Sequence, residues 1–265
     1  MKFQYKALVA ALALSTASLS AQAAFDLNAS GDSSFFLTVV DNTNNVSALF
    51  DLGFNNSQFS AMVSQATANG GVLSWDLTKG DYASAWSSFW SIAQDNAALQ
   101  WGVMSADNTG GAAGSRNVIT TYASGTKFVS TTQMQSSLTN FDDYLKANQS
   151  LGNHADVANG ASTATAGAAF AESKAYGTSG RINGTGYDTT KRLGEVADIR
   201  QVFTGANAPA PVTEFTLGNA NGRYTFSLSS AGVLTFAAPV PEADSYAMLL
   251  AGLGVIGLVA RRRKA

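Results

Sequence analysis

The C-terminal end of the chain constrains its architecture more than any other feature. Residues 246–260 read YAMLLAGLGVIGLVA, and Arg261, Arg262, Arg263 and Lys264 follow them directly. As a helix this apolar run would be about 22 Å long, slightly short of a usual span, and snorkelling arginines or local bilayer thinning can cover the shortfall. Cations after an apolar run act as a cytoplasmic stop. The pattern predicts a transmembrane helix at 246–260 with a four-residue stop-transfer segment; the alternative is a buried C-terminal helix of a soluble domain.

The N-terminal end has the three parts of a secretory signal in the right order. Two early lysines give a positive n-region, and residues 7–14 (ALVAALAL) form an apolar h-region. Ala21-Gln22-Ala23 then matches the small-residue cleavage pattern. We therefore predict a signal peptide cut after Ala23, with Ala24 as the close alternative. A short N-terminal helix that stays in the fold is the competing interpretation.

Charge and composition separate these two ends from an acidic body. The two ends hold 6 of the 16 cations, which leaves 10 cations and 16 anions between residues 24 and 238. An acidic chain with a pI near 5.3 disfavours nucleic acid as a partner, because phosphate binding needs a basic face. The chain has no cysteine and one histidine, which excludes disulfides, cysteine metal sites and two-histidine zinc motifs. We expect no cofactor.

A short motif precedes the apolar C-terminal run. Val240-Pro241-Glu242-Ala243, the apolar helix and the terminal cations together resemble the PEP-CTERM sorting tail of exported Gram-negative bacterial proteins, over residues 240–264. The family more often has proline where this chain has Ala243. The resemblance implies that the Pro-Glu pair lies on the periplasmic side and is read by exosortase, a membrane protease-transpeptidase. It also implies a temporary inner-membrane anchor that is later cut near the motif.

These features divide the chain into three parts. We predict a signal peptide at 1–23, an exported globular domain at 24–238 and a PEP-CTERM sorting tail at 239–265. The expected partners are the Sec translocon, signal peptidase, exosortase and the inner membrane, with extracellular polysaccharide as a further candidate. The expected location is an inner-membrane-anchored precursor that faces the periplasm, followed by the cell surface or the extracellular space.

The body has the order strands, helices, strands, without a regular βαβ alternation. A hairpin is predicted from residues 35–40 and 46–53, and the C-terminal third reads as further strands. Residues 81–98 carry an aromatic stripe at helical spacing, and residues 130–148 begin with a capping box. Residues 152–180, rich in Ala, Gly, Ser and Thr, read as a weakly ordered connector or a thinly packed surface segment. The predicted class is α+β: an antiparallel, β-sandwich-like sheet with two amphipathic helices, besides the signal helix and the transmembrane helix.

Four tryptophans fall close together in the body, at Trp75, Trp86, Trp90 and Trp101. Exposed indole rings could stack on sugar faces, since aromatic side chains anchor many binding sites. The helical spacing of Trp86 and Trp90 instead favours a role in the core. A sugar-stacking platform therefore stays as the alternative to core packing.

The remaining polar candidates have weak signatures. His154 is accompanied by no G-x-S-x-G elbow and is interpreted as an exposed loop residue rather than a base. Asp142 and Asp143 are adjacent on a predicted helix and point about 100° apart, so they do not face one ligand easily. The loop 41–45 (DNTNN) has oxygen ligands but lacks the glycine and the distal glutamate of an EF-hand, so a hairpin turn is favoured over a calcium site.

Two functions remain open from the sequence. The preferred one is a non-enzymatic, exported surface or extracellular-matrix (biofilm) protein with a structural or adhesive role. The alternative is a secreted carbohydrate-binding or glycoside-cleaving domain. Burial of the tryptophans and the absence of two carboxylates converging in a groove would argue against the alternative.

Overall fold

The computed structural model describes residues 25–93, 99–125, 130–176, 187–207 and 209–241. The helices in these residues are α1 (Phe59–Ala68), α2 (Ala83–Ala93), α3 (Thr131–Gln149) and α4 (Ala171–Lys174). The strands are β1 (Ser34–Asp41), β2 (Val46–Asn55), β3 (Val72–Asp76), β4 (Gln100–Asp107), β5 (Asn117–Tyr122), β6 (Ser124–Gly125), β7 (Ala161–Ala164), β8 (Tyr187–Asp188), β9 (Lys191–Arg192), β10 (Val196–Phe203), β11 (Thr213–Thr216), β12 (Gly218–Asn219), β13 (Gly222–Arg223), β14 (Thr225–Leu228) and β15 (Val233–Ala237).

One large antiparallel sheet organises the described part of the chain. Its strands lie in the order β3-β15-β14-β10-β5-β4-β1-β2-β7, with β11 beside β10 and β9 beside β4. Two small ladders, β12 with β13 and β6 with β8, are separate from it. Because β15 pairs with both β14 and β3, the last described strand joins the sheet to a strand from the first third of the chain.

The predicted β1–β2 hairpin is confirmed, and Asp41 holds its turn. Both Thr43 N–H and Asn44 N–H donate to Asp41 Oδ1, at 2.8 and 3.2 Å. Asn45 takes the left-handed conformation at φ 52°, which asparagine tolerates better than most residues. The oxygen-rich loop is therefore a hairpin turn whose carboxylate binds backbone and side-chain amides.

Strand β1 is buried on both of its faces, because successive side chains point to opposite sides of a sheet. Phe35, Leu37 and Val39 belong to a first core, which α1 and α2 cover. Phe36 and Val40 belong to a second core, which α3 and α4 cover. The first core also contains side chains from β14 and β15, near one end of the strand order, and from β2 and β7, at the other end. The sheet must therefore curl around α1 and α2.

Both predicted helices are present with their apolar faces inward. In α2, Phe89 and Ala93 are buried, and the helix is described as far as Ala93; residues 94–98 lie outside the described residues. In α3, Gln133 N–H donates to the Ser130 side chain at 3.2 Å, as the capping signature predicts. The periodic residues of α3 are buried: Met134, Leu138, Phe141 and Leu145.

The α+β class and the antiparallel sheet are confirmed. In place of two facing sheets, however, one sheet curls, and helices cover both of its faces. The predicted signal helix and the predicted transmembrane helix at 246–260 lie outside the described residues. Within the described ranges, no helix has the length and hydrophobicity that a bilayer crossing requires.

Of the two expectations for 152–180, the weakly ordered connector is wrong for the described residues 152–176, whereas stretches such as 165–168 are exposed, in keeping with a surface segment. Strand β7 pairs with β2 from Ser47 to Phe50, and Ala161, Phe170 and Ala171 are buried. Small side chains permit this close approach: a Cβ at Gly152 would lie only 1.9 Å from the carbonyl oxygen of Ala161. The low apolar content thus reflects tight backbone contacts and not weak order.

Candidate functional site

The folded body ends just after β15, the strand beside the edge strand β3, where the predicted sorting tail begins. After β15, Ala238 N–H donates to the carbonyl oxygen of Gly71 at 2.8 Å, in the turn between α1 and β3. The Ala238 side chain is buried. The chain therefore remains bonded to the body one residue before the tail.

Two asparagines of the β12–β13 hairpin hold the next residue. Asn219 Nδ2 donates to the carbonyl oxygen of Pro239 at 2.8 Å, and Asn221 Nδ2 lies 3.4 Å from the same oxygen. Asn219 Oδ1 also accepts the N–H of Asn221 at 2.9 Å, an Asx turn that orients the amide group. One side chain thus shapes the hairpin turn and binds the start of the tail.

Two glycines let the tail lie close against the body. Gly71 has φ +94°, and a Cβ there would lie 3.3 Å from Val240 Cγ2. Gly222 has φ +151°, and a Cβ there would lie 3.2 Å from Pro239 Cγ. Both backbone conformations favour glycine. We call the set Gly71, Asn219, Asn221 and Gly222, which surrounds residues 238–240, the tail clamp.

The predicted motif residues straddle the end of the described chain. Val240 is half-buried and Pro241 is exposed. Proline restricts the preceding residue to extended conformations, so Val240-Pro241 leaves the clamp as an extended segment. Glu242, Ala243 and the stop-transfer residues Arg261, Arg262, Arg263 and Lys264 lie outside the described residues, as do Ala21, Ala23 and Ala24 of the predicted signal cleavage site.

Comparison with known proteins identifies the segment that follows β15. A family model of the PEP-CTERM protein-sorting motif matches residues 239–264. The chain carries a PEP-CTERM sorting motif. No curated protein and no solved structure matches the chain. The match begins at Pro239, the residue whose carbonyl group the clamp binds.

A PEP-CTERM tail marks an exported protein that exosortase sorts, and it anchors that protein in the membrane transiently before processing. Sequence reasoning found this tail from its motif, its apolar run and its cations. The clamp was not found, because Asn219 lies 20 residues away from Pro239 along the chain. The Asn-Ala-Asn-Gly run at 219–222 signals a turn, but it does not show what the turn binds.

The four tryptophans do not form a common exposed surface. Trp101 is fully buried, and its Nε1 donates to the carbonyl oxygen of Arg192 at 2.9 Å. Trp86 is 7% exposed and stacks on Trp90 with ring centroids 5.4 Å apart. Trp75 is partly buried and donates to the carbonyl oxygen of Leu52 at 3.0 Å. Trp86 and Trp101 therefore lack the exposed face that stacking on a sugar requires, and Trp75 and Trp90 keep only part of theirs.

His154 is buried at 2% exposure, so the interpretation as an exposed loop residue is wrong. Pairing of β7 with β2 brings Ser162 beneath it, with His154 Nε2 at 3.1 Å from Ser162 Oγ. Ser162 Oγ in turn donates to Asn148 Oδ1 at 2.7 Å. Burial lowers the pKa of His154 to about 4, so its imidazole is neutral at pH 7. Ser162 has no solvent exposure, and the network joins α3, β7 and the 150s loop.

Of the adjacent acidic residues Asp142 and Asp143, which the sequence did not favour as a catalytic pair, Asp142 has a structural role. Asp142 is buried and accepts the N–H groups of Asn28 and Ala29 at 2.8 and 3.1 Å, which ties the N-terminal segment to α3. A groove of about 480 Å³ between α2 and β7 is lined by Ser, Thr and Asn side chains together with apolar groups such as Ile92 and Ala85, and its lining includes Asp81. In the described residues, no group of three or more His, Cys, Asp or Glu side chains has a metal-binding arrangement.

Proposed function

We propose that this chain is a non-enzymatic, exported protein whose folded body has a structural or adhesive role at the cell surface or in the extracellular matrix. Its tail holds it at the inner membrane until exosortase cuts near the motif. The observation that carries the proposal is the PEP-CTERM tail, attached without a linker to a folded body. The tail specifies export and a temporary anchor, and the body supplies what is delivered.

The charge distribution supports this division of labour. The body between residues 24 and 238 has 16 anions against 10 cations, whereas the tail ends in four consecutive cations. Cations hold the end of a membrane helix on the cytoplasmic side. The net negative charge of the body favours its solubility on the other side of the membrane. The negative charge of the body therefore suits the periplasmic side, and the positive charge at the end of the tail suits the cytoplasmic side, as the proposal requires.

The packing of the body supports a structural role. Its largest side chains serve its own two cores, as Trp101, Phe36 and Phe141 show by their complete burial. The described surface is rich in Ser, Thr, Asn and Gly. Such a surface offers many hydrogen-bonding groups to hydrated polymers, so extracellular polysaccharide is the partner that we propose.

We expect removal of residues 242–265 to abolish retention of the precursor at the inner membrane. A transmembrane helix gives effectively irreversible insertion, so the fraction of precursor in the membrane pellet should fall at least about tenfold. The measurement is immunoblotting of membrane, periplasmic and extracellular fractions from a bacterium that has exosortase and from the same strain without it. The full chain should accumulate in the membrane of the strain without exosortase and leave it in the other.

Glu242→Ala tests the motif apart from the anchor, with Glu195→Ala on the exposed surface of the body as its matched control. Glu242→Ala should retain the full-length chain in the membrane even when exosortase is present, whereas Glu195→Ala should behave like the wild type. Equal fractionation of the full chain and the tail deletion would contradict the anchor. A matrix of unchanged cohesion in a strain that lacks the protein would contradict the structural role.

A further inference from the structure

We propose that the tail clamp withholds residues 238–240 from the processing enzyme, so that the cut falls after Pro241. Opening of the clamp would then control access to every bond before that residue. This inference rests on the proposed function, because it concerns how exosortase reaches the tail. It names a role for the β12–β13 hairpin that the sorting motif itself does not contain.

The clamp occupies the backbone groups that a protease would need. Enzymes that bind extended peptides commonly pair with the backbone N–H and C=O groups of the substrate, as a strand adds to a sheet. Here Ala238 N–H already donates to Gly71, and the Pro239 carbonyl oxygen already accepts from Asn219. The Ala238 N–H has one proton to donate, and the Pro239 carbonyl oxygen, which has two lone pairs, already accepts from both Asn219 and Asn221. Binding to the body therefore competes with binding to the enzyme at these residues.

Packing reinforces the hydrogen bonds. Ala238 is fully buried, and Val240 lies against Gly71. Lifting the segment would expose these apolar groups and leave the Gly71 carbonyl oxygen without its partner. Pro241, in contrast, is exposed and has no N–H to donate. It is therefore the first tail residue that the body leaves free.

The length of the tail gives the enzyme little slack. Four residues, Glu242 to Ser245, separate Pro241 from the apolar run at 246–260. Fully extended, they reach about 14 Å at ~3.5 Å per residue. An anchored body therefore lies close to the bilayer, and a membrane enzyme cannot gain further residues by drawing on a loose linker. Access to residues before Pro241 requires the clamp to open.

The test uses Asn219→Asp in the full chain. Aspartate keeps the oxygen that accepts the Asn221 N–H, so the hairpin turn is retained, but it removes the Nδ2 donor to Pro239. Asn69→Asp is the matched control, since Asn69 is an exposed residue of the adjacent turn and has no hydrogen bond from its side chain to the described tail residues. It adds the same charge nearby and removes none of the hydrogen bonds between the clamp and residues 238–240.

Two measurements follow. Hydrogen exchange on the purified full chain in detergent should show a protected Ala238 amide in the wild type and in Asn69→Asp, with exchange about fivefold faster in Asn219→Asp, as expected for loss of one hydrogen bond. Mass spectrometry of the product from a host with exosortase should place the wild-type C-terminus at Pro241 or later. Asn219→Asp should add products that end before Pro241 or should be processed several-fold faster.

An unprotected Ala238 amide in the wild type would overturn the inference without any variant. Wild-type products that end at residues 238–240 would also overturn it, as would equal Ala238 exchange in the two aspartate variants. Failure of the proposed function looks different: the full chain would then be processed equally in a host without exosortase. The exchange measurement needs no processing enzyme, so it separates these two failures.

Discussion

Replacing Trp101 by alanine should lower the free energy of unfolding by about 3–5 kcal/mol. Trp101 lies in β4 with no solvent exposure, within the first core. Truncation would leave a cavity that the surrounding strands cannot close, and it would leave the Arg192 carbonyl oxygen without its Nε1 donor. Urea unfolding of the product recovered from a host with exosortase, followed by far-UV circular dichroism, measures the change as a shift in midpoint at constant slope.

Trp90→Ala is the matched control for this prediction. The Trp90 ring is partly exposed and stacks on Trp86 from outside the core, so its removal should cost about 1–2 kcal/mol. Similar losses for the two variants would contradict the assignment of Trp101 to the interior. A Trp101→Ala protein with unchanged stability but weakened binding to a soluble polysaccharide would instead revive the sugar-stacking alternative.

The second large effect is a pH dependence that originates at Asp51. The pKa of this carboxyl group is raised from 3.8 to about 7. Burial is the main cause, and the negative charge of Asp26 adds to the rise, whereas hydrogen bonds from Gly53 and Ser34 oppose it. The folded state therefore holds the proton more tightly than the unfolded chain. The contribution of protonated Asp51 to the free energy of unfolding is fully present below about pH 4. It is lost as the pH rises to about 7, and the loss reaches up to ~4 kcal/mol at ~1.4 kcal/mol per pKa unit.

Asp51→Asn should remove this dependence. Asparagine keeps an oxygen that can accept the Gly53 N–H, which lies 2.9 Å from Asp51 Oδ1, but it cannot ionise. At pH 8 the variant should therefore be more stable than the wild type by up to ~4 kcal/mol. Below about pH 4 the two proteins should match, because both side chains are then neutral. Urea unfolding at intervals between pH 4 and pH 8 measures both profiles, and parallel profiles would contradict the prediction.

Local patterns predicted the local structure well. The β1–β2 hairpin follows from a β-branched run and an Asp-Asn turn, and α3 follows from its cap at Ser130 and its apolar period. These signals lie within about twenty residues of each other and need no knowledge of distant partners. The sorting tail was equally accessible, since its motif, apolar run and cations are contiguous.

Such local patterns did not predict contacts between residues that are far apart in the chain. The burial of His154 depends on β7 pairing with β2, whose residues lie more than a hundred positions earlier. The tail clamp depends on where the β12–β13 hairpin lies relative to β15, which no local period specifies. Sequence reasoning therefore located the tail but not the device that holds it.

The position of β15 has a consequence for the order of folding during export. This strand ends at Ala237 yet lies between β14 and β3, so β3 cannot join the sheet until almost the whole body is available for folding. Pairing over more than 150 residues also makes closure slow, because loop-closure entropy opposes it. A chain that stalls during secretion before β15 emerges would leave the edges of β3 and β14 open, and such unpaired edges invite aggregation. The residues that complete the sheet are thus the ones that directly precede the sorting tail.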